Sequence, residues 1–315
     1  MSENFLKGQI TRSTGSWYNV RCQDGKIYHC RLKGQSKIKG YKATNPVVVG
    51  DIVYFYLEPG LQTGMIFQIE ERKNYIIRRA AKLSKESHIL AANIDKAFLI
   101  ASVILPYTST GFIDRFLVTA ETYNIPATIV FNKLDLYDDK HLEILEKMSK
   151  VYKDIGYSFL CISALRGDNL DLLKNEIKDK LCLFAGHSGS GKSAIINAIE
   201  PNLNLKTVSI SKIHQKGRHT TTFSEMFQLS DGGYIIDTPG IKEFALIDIK
   251  KEELFHFFPE MFRLLHKCKF YNCTHTSEPN CAVKQAVLNG EIADWRYKNY
   301  LSMLSGDDMA VKEWE

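Results

Sequence analysis

Two rhythms of apolar and polar residues divide the chain. Up to about residue 75, apolar positions come in short alternating runs, at 17–22, 27–32, 51–57 and 65–69. The dipeptides Gly15-Ser16, Asp24-Gly25, Lys39-Gly40 and Pro59-Gly60 separate these runs. Short alternating runs closed by turn residues read as strands. About five of them in this length make a small barrel, for which an OB-fold is the natural candidate, although an SH3-like barrel has similar spacing. From residue 97 the period changes. Continuous apolar runs at 97–104, 127–131, 158–162, 181–185 and 234–237 alternate with helical periodicity at 112–123, 140–155 and 170–180. That alternation predicts a mainly parallel sheet covered by helices on both faces. Between the two regimes Arg72, Lys73, Arg78, Arg79, Lys82 and Lys85 mark a basic, helix-tolerant linker, and from about residue 249 the chain reads as helical. The predicted organisation is a basic OB-fold at 1–75, a linker at 76–90, an α/β domain at 91–248 and a helical domain at 249–315.

Composition agrees with several ordinary globular domains: 315 residues, 44% apolar and 24% charged. The longest nearly apolar run, 97–105, is under half a membrane span and is broken by Ser102. Residues 1–9 lack the apolar core of a secretory leader, so a cytoplasmic protein with no membrane contact is expected, and a monomer. The net charge of +5 is uneven. Residues 1–90 hold 15 Lys+Arg against 7 Asp+Glu, a net of +8, which leaves −3 for the remainder. A basic module on a near-neutral body points to a polyanionic partner, with a merely solvated surface as the alternative.

The nucleotide chemistry is concentrated in five short motifs. Gly186, His187, Ser188, Gly189, Ser190, Gly191, Lys192 and Ser193 match GxxxxGK[ST] between a predicted strand and a predicted helix. In that setting backbone N–H groups form an anion nest at a helix N-terminus, Lys192 reaches the β- and γ-phosphates, and the Ser193 hydroxyl meets Mg²⁺. Asn132, Lys133 and Asp135 form NKxD at the C-terminal end of a strand. There an ionised Asp accepts from guanine N1–H and N2–H₂, donors that adenine lacks. Ser163 and Ala164 open an S-A-x loop able to back the base. Asp237 and Gly240 fit DxxG, the Asp holding Mg²⁺ through water and the Gly N–H facing the γ-phosphate. Between the phosphate loop and DxxG lies Gly217-Arg218-His219-Thr220-Thr221-Thr222, where a threonine can close over Mg²⁺ in the triphosphate state.

An ordinary small GTPase runs phosphate loop, threonine switch, DxxG, NKxD, SAx. Here NKxD and SAx precede the phosphate loop, so the order is circularly permuted. Termini of compact domains lie close together, so such a cut preserves the site. Downstream, Cys268-x₄-Cys273-x-His275-x₅-Cys281 offers three thiols and one imidazole within 14 residues. That donor set favours tetrahedral, closed, structural Zn²⁺, against the alternative of simply buried thiols. His266 is a rival ligand by spacing but reads rather as a helix-surface residue. Cys22, Cys30, Cys161 and Cys182 read as packing residues.

Taken together, these motifs resemble the ribosome small-subunit-dependent GTPase A (RsgA) family of circularly permuted bacterial GTPases, over nearly the whole chain. Gly217 to Thr222 and the Cys/His spacing are the most family-specific pieces. The resemblance implies an OB-fold, a permuted GTPase domain and a C-terminal helical zinc domain with one zinc. It further implies maturation of the small ribosomal subunit, contact with its rRNA, and GTP hydrolysis to GDP stimulated by that subunit. The phosphate loop departs slightly from the family's usual GxSGVGKSS, and main-chain contacts at Ser190 and Ala194 should tolerate the change. Ile241 stands where many GTPases carry a water-orienting Gln and cannot hydrogen-bond. His219 is the candidate to orient water instead, with Lys192 and Thr221 completing the catalytic set. The resemblance favours Thr221 for Mg²⁺, although physics alone does not choose among Thr220, Thr221 and Thr222. The rival readings are a non-hydrolysing guanine-nucleotide switch, suggested by Ile241, and an RNA-binding module with a vestigial nucleotide site, suggested by the charge asymmetry.

Overall fold

In β1 (Leu6–Ser13), β2 (Tyr18–Cys22), β3 (Ile27–Leu32), β4 (Ile52–Leu57) and β5 (Thr63–Ile69), alternate residues turn inward. Ile10, Tyr18, Val20, Cys30, Val53, Phe55 and Ile66 thereby form one core. The strands pair in the order β1-β2-β3-β5-β4, and β4 returns to β1, closing the barrel. Only β3–β5 is parallel among these pairs, which is the OB-fold arrangement rather than the SH3-like one. The structure is a computed structural model, and it describes residues 5–33, 46–61, 63–79, 87–205, 224–237 and 249–306. β1 was hard to read in the sequence because Gly8 takes an inward position. A side chain there would meet Val20 Cγ1 at 2.6 Å.

The segment read as a helix-tolerant linker instead contributes an antiparallel ribbon, β6 (Tyr75–Arg79) with β7 (Ser87–Ala92). Its β-forming residues Tyr75, Ile76 and Ile77 decide the local structure, rather than the cations around them. Ile76 and Ala91 are fully buried in the next domain's core, as is Val49 from the barrel at 1% exposure. One linker cation is structural: Arg72 is bidentate to Asp51 at 2.6 and 2.7 Å, both side chains being buried. Burial pushes the Asp51 carboxyl up, and Arg72 pulls it back.

The strands that follow are β8 (Lys96–Ala101), β9 (Ala127–Phe131), β10 (Ser158–Cys161), β11 (Leu181–Ala185), β12 (Glu225–Gln228) and β13 (Tyr234–Asp237), in the order β10-β9-β8-β11-β13-β12. The central strands β8, β9, β11 and β13 are buried on both faces, as a parallel sheet requires, while β10 and β12 at its two ends are less so. All neighbours are parallel except β12–β13. The helices are α1 (Thr110–Thr122), α2 (Asp139–Ile155), α3 (Leu170–Ile177) and α4 (Lys192–Ile199). Leu99, Ile129, Phe131 and Leu183 pack on one face of the sheet; Phe98, Ile100, Val130 and Phe184 pack on the other. β12, with only Met226 fully buried, was not evident from the sequence. It pairs with β1 through Arg12 and Glu225, so barrel and central sheet form one eleven-stranded sheet.

The C-terminal part holds a 3-10 turn at Lys251–Phe257, then α5 (Pro259–Phe262), α6 (Ala282–Leu288) and α7 (Asp294–Ser305). Its core of Leu254, Phe258, Met261, Val283 and Tyr300 also takes in Val118 of α1. Beside it Arg296 of α7, wholly buried, donates to Asp114 of α1 at 2.6 Å and to Glu260 at 2.7 and 3.0 Å. Asn299 and Tyr152 also donate to Asp114, at 2.6 and 2.7 Å. Burial alone would suppress the Arg296 charge, but Asp114 and Glu260 hold it well above its ordinary value. Breaking such a pair by removing one partner typically costs about 3–5 kcal/mol, so the network fixes how α7 sits on α1. Among the described residues no helix is long and apolar enough to cross a membrane.

Candidate nucleotide site and metal cluster

The C-terminal ends of the parallel strands bring the dispersed motifs to one edge, where open α/β sheets bind ligands. β11 ends at Ala185 and the loop 186–191 leads into α4. Gly186 has φ +144°, and a Cβ there would lie 2.3 Å from the Ile100 carbonyl oxygen. Gly191 has φ +101°, and its Cβ would lie 2.1 Å from Asn132 Nδ2. Only glycine fits at either position. Lys192, 8% exposed, donates to the carbonyls of Gly186 at 2.8 Å and His187 at 3.0 Å. Burial lowers its pKa, and Asp237 opposes that shift. Ser193 and Ala194 occupy the first turn of α4, half-buried, and Ser188 is exposed. The Ser190 hydroxyl is buried without a hydrogen-bond partner among the described residues.

Asn132 joins three motifs. Its Nδ2 donates to the Ser190 carbonyl at 3.1 Å, and its Oδ1 accepts from the Ala164 N–H at 3.1 Å. Lys133, in left-handed backbone at φ 70°, donates to the carbonyls of Gly189 at 2.7 Å and of Leu105. Asp135 accepts from the Ser163 hydroxyl at 2.5 Å, which orients its carboxylate. The sequence reading missed several supports of this edge. The Tyr137 hydroxyl donates to the Asn132 carbonyl at 2.5 Å, and Arg166 donates to the Asp135 carbonyl at 3.3 Å. The ring of Phe112 stacks on His187 with centroids 3.9 Å apart. No motif flags these positions, and only Tyr137, five residues after Asn132, is close in sequence to the residue it holds.

Asp237 ends β13, 8% exposed, with its Oδ1 lacking any partner among the described residues. Burial, opposed by Lys192, raises its carboxyl to about 6. An orphaned buried carboxylate beside Lys192 of the phosphate loop suits a cation, as does the hydroxyl of Ser193, the next residue after Lys192. His219, Thr220, Thr221, Thr222, Gly240 and Ile241 lie outside the described residues.

The raised value has a signed consequence for stability. Asp237 favours folding fully below its ordinary 3.8, and that contribution is lost as pH rises through about 6. Asp237→Asn does not titrate. In nucleotide-free protein the variant should gain stability relative to wild type between about pH 4 and 6, reaching at most about 3 kcal/mol above that window. Thermal melting at about pH 4.5 and about pH 7.5 measures this. An equal gap at both pH values would show that the Asp237 charge is not strained.

On the far side of α1, the ligand atoms of Cys268, Cys273, His275 and Cys281 all lie within 4.8 Å of one another. His275 Nδ1 is 3.7 Å from Cys268 Sγ and 3.4 Å from Cys281 Sγ. A tetrahedral zinc with one N and three S donors sets such atoms about 3.5–3.8 Å apart, so the cluster fits. Burial pushes the Cys273 thiol up to about 12, so a bound cation must displace its proton. Glu278, not foreseen, ties the loop by accepting from the N–H groups of Thr274 at 2.6 Å and Thr276 at 2.8 Å. Burial opposes its charge, but these bonds and the Thr274 hydroxyl bring its carboxyl down to about 2. His266 is exposed and stands outside the cluster, as its reading as a surface residue expects.

This geometry can be set beside known proteins. Residues 69–247 match the family model described as RsgA GTPase, and residues 7–66 match the RsgA N-terminal domain. The chain belongs to the RsgA GTPase family. A Bacteroides fragilis protein named "Small ribosomal subunit biogenesis GTPase RsgA" is 52% identical over 299 residues, covering 95% of this chain and 96% of that one. A namesake from Christiangramia forsetii is 50% identical over 305 residues, covering 96% and 97%. The crystal structure of YjeQ from Thermotoga maritima superposes with TM-score 0.76 at 34% identity, covering 96% of this chain and 98% of that one. The structure of YloQ, described as a circularly permuted GTPase, gives TM-score 0.74 at 31% identity, covering 97% and 96%. The likeness to RsgA GTPases therefore spans the barrel, the permuted domain and the C-terminal part.

Proposed function

We propose that this RsgA-family GTPase binds GTP at the strand edge, hydrolyses it to GDP and phosphate, and acts in maturation of the small ribosomal subunit. The observation that carries the reading is Asn132, which fastens NKxD to the phosphate loop through Ser190 and to the SAx loop through Ala164. An RNA-binding module with a vestigial nucleotide site would have no reason to keep that junction. In this reading Asp135, held by Ser163, accepts from guanine N1–H and N2–H₂, and the Ala164 region backs the base. Lys192 leaves the carbonyls of Gly186 and His187 for the β- and γ-phosphates, which the N–H groups of the loop 186–194 also cradle. Ser193, Thr221 and Asp237 would hold Mg²⁺, whose charge offsets that developing on the phosphates. The Gly240 N–H senses the γ-phosphate and His219 orients the attacking water, roles carried over from the family resemblance. The Cys/His cluster holds one structural zinc.

We further propose functional units at 1–75, 91–248 and 249–315, with 76–90 joined to the second of them through the ribbon β6–β7, working as a monomer in the cytoplasm. The basic barrel meets rRNA. The permutation sets both switch loops beside the zinc-cluster domain in sequence, so a γ-phosphate signal would reach a subunit-binding surface. The test is sedimentation with purified small subunits in a non-hydrolysable GTP analogue or in GDP. Binding should be about tenfold or more tighter with the analogue and should weaken steeply as salt rises. Equal affinity in both nucleotides would remove the switch from the account.

A further inference from the structure

The outer surface of the barrel exposes aromatic rings where a solvated face would carry polar side chains. Alternation sends Phe55 and Ile66 inward and turns Tyr54, Tyr56 and Phe67 outward, with Phe5, just before β1, beside them. Phe5 is 59% exposed and Phe67 40%. The Phe5 ring meets Tyr54 edge-on at 5.8 Å and Phe67 at 6.2 Å, and Phe67 stacks with Tyr56 at 6.0 Å. Two ammonium groups lie among them, Lys7 Nζ 5.5 Å from the Tyr54 ring centroid and Lys33 Nζ 5.2 Å from that of Tyr56. Lys7 also pairs with Glu70 at 2.6 Å, so those two charges offset each other. Cross-strand aromatic pairs do stabilise sheets, but that accounts for rings touching each other and not for faces left in water.

We propose that this face, formed by the start of β1 with β4 and β5, is a stacking platform for unpaired RNA bases. Every base has a π-face, so exposed rings receive bases with little regard to sequence, while Lys33 and the basic module around the rings attract the phosphates. The charge fits: residues 1–90 carry a net +8. The platform is built on β1, β4 and β5, next to the β2–β3 surface with which OB-folds commonly bind oligonucleotides and not on it. The proposal rests on the reading that the chain binds small-subunit rRNA, and deepens it by naming single-stranded, base-bearing segments as the ligand. RNA in duplex form hides its base faces and gains nothing from such a surface.

The experiment uses the full chain and two fluorescent probes of equal length and charge, an oligouridylate and its abasic counterpart. Phe67→Ala should weaken oligouridylate binding about tenfold, as loss of one stacked base does, and leave the abasic probe unchanged. Phe67→Tyr keeps the ring and should keep the affinity. Circular dichroism melting verifies that each variant is folded; should Phe67→Ala unfold, Phe5→Ala makes the same comparison outside the strands. Absence of oligouridylate binding by the wild-type chain would overturn the platform, as would equal effects of Phe67→Ala on both probes. A surface that instead docks a protein would show unchanged oligouridylate affinity in Phe67→Ala, which also overturns it. Sedimentation with whole small subunits separates the two levels. If the wild-type chain does not bind subunits, the rRNA reading fails; if it binds them normally and the probes do not discriminate, only the platform fails.

Discussion

Asp135→Asn should lower affinity for GTP by about 10⁴ and raise affinity for xanthosine triphosphate. The carboxylate accepts two hydrogens from guanine; an amide in its place presents an N–H₂ toward one of those donors and leaves buried polar groups unpaired. Xanthine has an oxygen where guanine has its exocyclic amine, so the same amide can donate to it. The structure makes the substitution clean. Asp135 takes the Ser163 hydroxyl on Oδ1 at 2.5 Å, and the amide oxygen of Asn can accept the same bond, so the loop should keep its shape. Asn132, which connects the loops, is untouched. Titration of both nucleotides by calorimetry reads the exchange directly. Unchanged GTP affinity would mean that Asp135 does not read the base.

The second large effect concerns the metal. Purified under reducing, chelator-free conditions, the chain should contain about one zinc, and Cys273→Ser should contain none. Structural zinc sites contribute about 10–16 kcal/mol of apparent binding energy to folding, so its loss should unfold the loop around residues 268–281. The damage should spread. Tyr297 and Tyr300 donate to the carbonyls of His275 and Thr274 at 2.6 and 2.5 Å, so α7 is anchored on the loop that the metal closes. Nucleotide affinity should change far less, because the phosphate and base loops are held by Asn132 and Lys133 on the other side of α1. Elemental analysis finding no zinc, or a Cys273→Ser variant whose melting and protease resistance match wild type, would refute the site.

Legibility followed the physical reach of each signal. The phosphate loop, NKxD and the Cys/His spacing were visible because their chemistry demands particular residue types a few positions apart. The parallel strands were visible because burial on both faces leaves unbroken apolar runs, as at Leu181–Ala185. What escaped depended on partners distant in sequence. β1 hides its inward period behind Gly8, and β12 buries one residue fully, so both exist through their neighbours. The ribbon β6–β7 was masked by the lysines and arginines around it, one of which, Arg72, is a buried partner of Asp51. Phe112 against His187 and Arg296 between Asp114 and Glu260 join residues too far apart in sequence for local spacing to reveal. Even the permuted order, plain in the sequence, does not disclose that Asn132 is the residue bonding the reordered loops together.

Phosphate release from GTP by the full chain, with and without purified small subunits, tests the central claim most directly. The account predicts slow release alone and a rise of at least about 10²-fold with subunits, abolished in Lys192→Ala and greatly reduced in His219→Ala while GTP binding by the latter persists. Release that stays at background with saturating subunits, although GTP binds normally, would contradict it and leave a nucleotide switch that does not hydrolyse.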